Sequence, residues 1–221
     1  MFKKVLIAED HESANLSVRK TLDEFGVKER EYVYYCDDAL MHLKQALAEG
    51  NPYELLITDI FFEEDGRAQD LKGGIDLIKA AKALQPHILV LVFSAESKVG
   101  FIDQLFKEMG INAYVRKARR DVEELKNALT HLANDKQYLN PALRQSIKKQ
   151  NTYEFSDYDI ILISQLSQGM LQKDIPYYLE KNEIKPYGLS SVEKRLNFMK
   201  ATLGFSKNEQ LIAFCKDLGI I

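Results

Sequence analysis

Five short apolar runs, each giving way to polar residues and each followed by a stretch of helical periodicity, fill roughly residues 2 to 133. The runs Lys4 to Ala8, Glu31 to Tyr35, Tyr53 to Thr58, His87 to Phe93 and Ala113 to Val115 are rich in β-branched, leucine or aromatic residues. Such residues suit short strands, and runs of them suit strands buried on both faces. Between and after them, Ser13 to Phe25, Ala39 to Ala48, Gly74 to Leu84, Lys98 to Met109 and Val122 to Asn134 carry apolar residues at helical spacing. Strands alternating with helices require a parallel sheet wrapped by helices. Five such units predict an α/β, flavodoxin-like domain with a five-stranded parallel sheet over residues 1–134, whose functional residues gather at the carboxyl ends of the strands.

After Asp135 the strand signals stop. Residues 135–153 are polar, with Asn140 beside Pro141 and a run from Lys148 to Asn151, and read as a linker carrying a short helix at Pro141 to Lys148. From 154 to 221 every apolar pattern is helical, which predicts a separate all-α domain of four helices. Ser156 caps the first, with Asp159 three residues later, and Gly169 stops it. Gln172 to Leu179 is the second and tolerates Pro176 only in its first turn. The third starts at a Ser190 or Ser191 cap, buries Val192, Leu196, Met199 and Leu203, and ends at Gly204, with Asn208 to Leu218 as the last.

Composition excludes several classes. A chain that is 46% hydrophobic and 29% charged is neither disordered nor a membrane protein by composition. The apolar start is broken at Glu9 and Asp10, too soon for a signal-peptide core or a bilayer span, so a cytoplasmic location away from the membrane is expected. Cys36 and Cys215 lie far apart without zinc-like spacing and read as reduced core residues. With a net charge of −3, any attraction to nucleic acid must come from a local patch.

The strand ends carry polar residues that a sheet interior would not choose: Glu9 and Asp10, then Asp59, Ser94 and Lys117. Three carboxylates repel one another unless a cation sits among them, and hard oxygen donors of this kind suit Mg2+. With such a cation, Asp59 can attack phosphorus as a carboxylate nucleophile and become an acyl phosphate. Lys117 would neutralise one phosphoryl oxygen and Ser94 would donate a hydrogen bond to another. Taken singly, Glu9 and Asp10 are equally well read as helix caps and Asp59 as a turn former; the conjunction at one sheet edge favours the chemical site.

The segments VLIAEDH, LLITDIFF, LVFSA and YVRKA resemble the receiver domain of bacterial two-component response regulators, over roughly residues 2 to 133. The resemblance implies phosphorylation of Asp59 by a sensor histidine kinase. It implies Mg2+ held by Asp10, Asp59 and the Phe61 carbonyl, with Glu9 often acting through water. It also implies a switch pair of Ser94 and Tyr114, the hydroxyl moving toward the phosphoryl group and the ring turning inward. Two departures from the family pattern stand out. A lengthened loop lies within Phe62 to Lys72, placing Glu63 near the family's usual Pro and Gly74 at its usual Gly, and Ala118 stands where many receivers have Pro. The loop reads as a solvated surface segment or as a screen that restricts kinase docking.

The second domain, through LSQGMLQKDI, SSVEKRLNFMKATLGF and LIAFCKDLGII, resembles the NarL/LuxR-type helix-turn-helix effector domain. That resemblance implies DNA contacts from Lys173 on the scaffold helix and, on or at the start of the recognition helix, from Ser191, Lys194, Arg195, Asn197 and Lys200. The last helix would support a homodimer on DNA. Residues 153–221 hold eight Lys or Arg against nine Asp or Glu, and the turn NEIKPYGL is longer than usual, so a helical domain for protein–protein contacts is the alternative. The expected function is a phosphorylation-gated transcription regulator and not an enzyme. A Mg2+-dependent hydrolase has the carboxylates but no evident substrate-pocket motif.

Overall fold

A computed structural model of the chain describes residues 2–151 and 153–221; the side chains of residues 149–151, within the polar linker run, and of Asp217 lie outside the description, as does Thr152. The chain divides into two compact units, Met1–Pro141 and Ala142–Ile221.

The first unit alternates β1 (Lys4–Ala8), α1 (Glu12–Glu24), β2 (Glu29–Val33), α2 (Cys36–Ala48), β3 (Leu55–Thr58), α3 (Gly74–Leu84), β4 (Leu89–Ser94), α4 (Val99–Glu108), β5 (Ala113–Arg116) and α5 (Asp121–Leu132). A short β6 (Tyr138–Leu139) follows, and all strands pair in parallel in the order β2-β1-β3-β4-β5-β6. The order places β1, β3, β4 and β5 side by side, so their carboxyl ends form one continuous edge. Alternation sorts the strand side chains onto two faces. Val5, Ile7, Leu55, Ile57, Leu91, Phe93, Ala113 and Val115 pack with Val18 and Leu22 of α1 and with Leu125, Ala128, Leu129 and Leu132 of α5. Their neighbours Leu6, Leu56, Val90, Val92 and Tyr114 are fully buried on the opposite face.

Several boundaries differ from expectation, and three of the changes have a plain physical cause. The second strand begins and ends two residues earlier than the sequence suggests, because its register is fixed by pairing Lys4 with Glu29 through Ala8 with Val33. Tyr34 and Tyr35 instead lead into α2, which starts three residues early at the buried Cys36. The sixth strand lies within the expected linker: Tyr138 and Leu139 pair with Ala113 and Tyr114 and cover the β5 edge. The Tyr138 hydroxyl donates to Glu124 Oε2 at 2.5 Å, and Asn140 Nδ2 to its Oε1 at 2.9 Å.

In the second unit, α6 (Pro141–Asn151) runs from the end of the sheet unit and three residues past its expected end, and α7 (Asp157–Ser167) opens with the predicted capping box of Ser156 and Asp159. A 3-10 turn at Gln172–Asp174 leads into α8 (Ile175–Lys181), with Pro176 in the first turn as its missing N–H requires. Then come α9 (Leu189–Leu203) and α10 (Asn208–Asp217). Val192, Leu196, Met199 and Leu203 of α9 are buried against Leu162, Ile163, Ile175, Leu179, Leu211 and Cys215. Gly204 ends α9 at φ 80°, a left-handed conformation that glycine adopts without cost. Among the described residues no helix is long and apolar enough to cross a membrane.

Candidate functional site

The sheet ladder continues one residue past three of the strands, which fixes the backbone beneath the polar residues at its edge. Glu9 N–H donates to the Val33 carbonyl at 3.0 Å, Asp59 N–H to Ala8 at 3.2 Å and Lys117 N–H to Ser94 at 2.8 Å. Side chains from the three loops that follow β1, β3 and β5 therefore converge. Lys117 Nζ lies 2.6 Å from Asp59 Oδ2 and 2.8 Å from Glu9 Oε1, so the ammonium reaches into the acidic cluster with Ala118 beside it. The other carboxylate oxygen of Asp59, Oδ1, accepts the Ile60 N–H at 2.6 Å. Asp10 Oδ2 accepts the Glu63 N–H at 2.7 Å, and its Oδ1 lies 2.7 Å from His11 Nδ1.

Glu9 and Asp59 are almost fully buried. Burial pushes the Glu9 carboxyl above its ordinary range, against the pull of the Lys117 hydrogen bond. Burial works against the Lys117 ammonium too, but the hydrogen bonds to Asp59 and Glu9 outweigh it and hold its pKa above the usual value. One ligand atom each from Glu9, Asp10, His11 and Asp59 lie within 4.8 Å of one another. Three carboxylates against one ammonium leave an excess of negative charge, and their oxygens fit a hard divalent cation such as Mg2+. Ser94 is 1% exposed and its Oγ makes no hydrogen bond, a placement that costs about 1–3 kcal/mol in the absence of an acceptor. A phosphoryl oxygen is an acceptor of the required kind.

Tyr114 is wholly buried, and its hydroxyl donates to the Glu96 carbonyl at 2.6 Å. Phe61 follows Ile60 with its ring 58% exposed. Gly74 begins α3 so close to the Asp59 backbone that a Cβ there would lie 1.8 Å from the Asp59 carbonyl oxygen. Any side chain at this position must displace the main chain that carries Asp59.

The lengthened loop is tied down on the first turn of α2. Asp37 accepts the N–H groups of Asp70 at 2.7 Å and Leu71 at 2.9 Å. Arg67 forks onto Asp38 at 3.0 and 2.6 Å and stacks 4.1 Å above the Tyr35 ring, whose hydroxyl donates to Asp65 at 2.5 Å. Sequence reasoning missed Tyr35, Asp37, Asp38 and His11. Asp37 and Asp38 look like ordinary helix-start acids, and only the loop they hold reveals a second use.

In the helical unit the expected DNA contacts separate into two groups. Lys173, Lys194 and Asn197 are exposed, and Ser191 and Lys200 are half-buried. Arg195 does not face outward. Its Nε lies 2.5 Å from Asp159 Oδ1 and its second guanidinium nitrogen 2.7 Å from Oδ2, so it ties α9 to α7. Asp159 has no exposed surface and also accepts from Ser156 and Tyr153. A carboxylate in that position requires a bidentate cation, and this takes precedence over the outward placement that helical periodicity alone suggests. The long turn before α9 is fixed by Tyr158, whose hydroxyl donates to the Pro186 carbonyl at 2.5 Å.

No protein-family model and no curated protein matches the sequence. Solved structures do. The RcsB response regulator of Salmonella typhimurium aligns over 97% of this chain and 98% of its own at 20% identity, with a TM-score of 0.59. A structure of two RcsB dimers bound to two parallel DNAs aligns over the same shares at 19% identity and a TM-score of 0.58. A LuxR-family response regulator from Aurantimonas sp. SI85-9A1 covers 69% of this chain and 100% of its own at 16% identity, with a TM-score of 0.58. The chain shares their fold.

Proposed function

We propose that the chain is a response regulator that accepts a phosphoryl group on Asp59 and controls transcription through its helix-turn-helix. A receiver over 1–134, a linker over 135–153 and an effector over 154–221 divide these tasks. The observation that carries the reading is the convergence of Glu9, Asp10, Asp59 and Lys117 at one sheet edge beside the unpartnered Ser94 hydroxyl. Because Ile60 N–H occupies Asp59 Oδ1, Oδ2 is the attacking atom. Its lone pair forms the new O–P bond while the donor's bond to phosphorus breaks and the donor leaves with its electron pair. Lys117 moves from Oδ2 to a phosphoryl oxygen, and Ser94 donates to another. Glu9, Asp10, Asp59 and the Phe61 carbonyl would hold Mg2+, which would supply positive charge to neutralise the phosphoryl oxygens. Ser94 and Tyr114 then report the modification.

A sensor histidine kinase supplies the phosphoryl group, and the protein acts in the cytoplasm as a homodimer on DNA, as a regulator and not an enzyme. RcsB, of the same fold, has been captured on promoter DNA in the presence of phosphomimetic BeF3-. On the recognition surface, Lys173, Ser191, Lys194, Asn197 and Lys200 remain as candidate contacts. With few cations available, a single copy binds weakly and pairing supplies the affinity. The test is labelling of the full chain by a small phosphodonor with Mg2+, together with genomic-fragment binding with and without BeF3-. Labelling that vanishes in Asp59→Asn and selective binding strengthened by BeF3- are expected. Labelling without DNA binding in either state would point to a protein-contact output instead.

A further inference from the structure

His11 stands at the N-cap of α1, where a polar side chain ordinarily turns to cap the helix, yet it makes no capping hydrogen bond. The ring turns back toward the carboxylates. Nδ1 lies 2.7 Å from Asp10 Oδ1 and 3.5 Å from Glu9 Oε1, while Nε2 lies 3.5 Å from Glu63 Oε1 on the lengthened loop. Two donors on adjacent corners of an octahedral site sit about 3 Å apart, close to the Nδ1 to Oδ1 separation. Mg2+ demands oxygen ligands and keeps its waters, whereas an imidazole nitrogen favours first-row transition divalents. A histidine that ligates through one nitrogen also gains orientation and basicity when a carboxylate accepts from the other, and Glu63 Oε1 is the carboxylate oxygen on that side, 3.5 Å from Nε2 and within reach of a small side-chain movement. The unpartnered Ser94 hydroxyl, 1% exposed at the same sheet edge, is independent evidence that this edge receives a ligand.

We propose that His11 is a nitrogen ligand of the divalent cation at this edge, with Glu63 steadying its ring, so that the site takes Mn2+ in preference to Mg2+. The inference rests on the phosphoacceptor reading above and assigns two further residues to its cation. In this structure Nδ1 shares a proton with Asp10 Oδ1 at 2.7 Å; on binding, the cation would take that proton's place, leaving the other on Nε2, toward Glu63.

The experiment titrates the full chain with Mn2+, followed by its paramagnetic resonance, and with Mg2+ by competition; pulsed measurements on the Mn2+-loaded protein then seek hyperfine coupling to imidazole nitrogen. Wild type is expected to show that coupling. His11→Ala and His11→Gln should both lose it, with Mn2+ affinity falling about tenfold and Mg2+ affinity changing less than about twofold. Glu63→Gln should weaken Mn2+ by a few-fold with the coupling retained. Thermal unfolding of both His11 variants checks that α1 is intact. Missing nitrogen coupling in wild type, or an equal loss for both metals in the His11 variants, would overturn the proposal while leaving Asp59 labelling in Mg2+ untouched. If wild type binds neither cation and is not labelled, the phosphoacceptor reading fails and this one with it.

Discussion

Each unit buries an acidic group against a cation, and the two arrangements differ in whether they are complete. In the helical unit, Asp159 receives a bidentate Arg195, the Ser156 cap and the Tyr153 hydroxyl, so its oxygens are satisfied within the unit. At the sheet edge, Glu9 and Asp59 share one ammonium, Asp10 beside them meets only His11 and the Glu63 N–H, and the Ser94 hydroxyl makes no hydrogen bond. A closed cluster holds a fold together, whereas an open one is built to receive something. The distinction separates a structural ion pair from a site even where both are buried.

The largest expected effect tests the closed cluster. Arg195→Met leaves Asp159 buried and charged without its cation, a change that costs about 3–5 kcal/mol for fully buried pairs. Arg195 is itself 34% exposed on its side chain, which puts the expected loss near the lower end. Denaturant unfolding of the helical unit, followed by hydrogen exchange of α7 and α9 peptides, measures it. A DNA-contact role for Arg195 predicts the reverse outcome, with stability intact and only DNA affinity reduced.

Lys117→Met is the counterpart at the open cluster, and about 2 kcal/mol is expected. The loss is smaller because Glu9 can take up a proton, its carboxyl being raised already by burial. Millimolar Mg2+ or Mn2+ should restore stability to this variant by binding the native state, and should do nothing for Arg195→Met. Equal rescue of both variants would erase the contrast.

Acid separates the units in opposite directions. For Asp159, burial raises the carboxyl pKa, but the Arg195 and Ser156 hydrogen bonds prevail and hold it below its ordinary 3.8. Its stabilisation is therefore present above that value and is lost as pH falls through the lower folded-state value. Glu9 is raised above its ordinary 4.5 in the fold, so its ionised form costs stability that is recovered as pH falls through the folded value toward 4.5. Unfolding profiles from neutral pH down to about 3, resolved by unit through hydrogen exchange, should show the sheet unit's Glu9 contribution improving before the helical unit weakens. Parallel acid profiles would sink this assignment.

The same contrast explains what could be read beforehand. Asp59, Ser94 and Lys117 stood out together: each ends or follows an apolar strand, each alone has a structural use, and only their placement along one sheet edge sets them apart. The β6 strand was hidden because Tyr138 and Leu139 form a pair too short to show a period, and pairing with β5 creates it. Arg195 was misplaced because periodicity sees one helix at a time, while its partner lies 36 residues away in another. Asp159 was recognised as a capping residue, which it is, but one side chain can serve a cap and an ion pair together.

The lengthened loop supplies the smallest effect and places a third cluster between the two. Its anchors are of unequal kind. Arg67 meets Asp38 and Tyr35 at the surface, with its side chain 46% exposed, and exposed pairs contribute about 0–1 kcal/mol. Asp37 is half-buried and takes two main-chain N–H groups, which as hydrogen bonds to a charged group are worth more. Arg67→Ala should therefore lower stability only slightly, with the effect fading in 1 M salt, and should leave the Asp70 and Leu71 amides protected. Asp37→Ala should speed exchange of those two amides at least about tenfold at any salt concentration, the equivalent of about 1.4 kcal/mol. If the Arg67 variant releases the amides as fully, the loop is held by its guanidinium clamp, and salt alone should then loosen it.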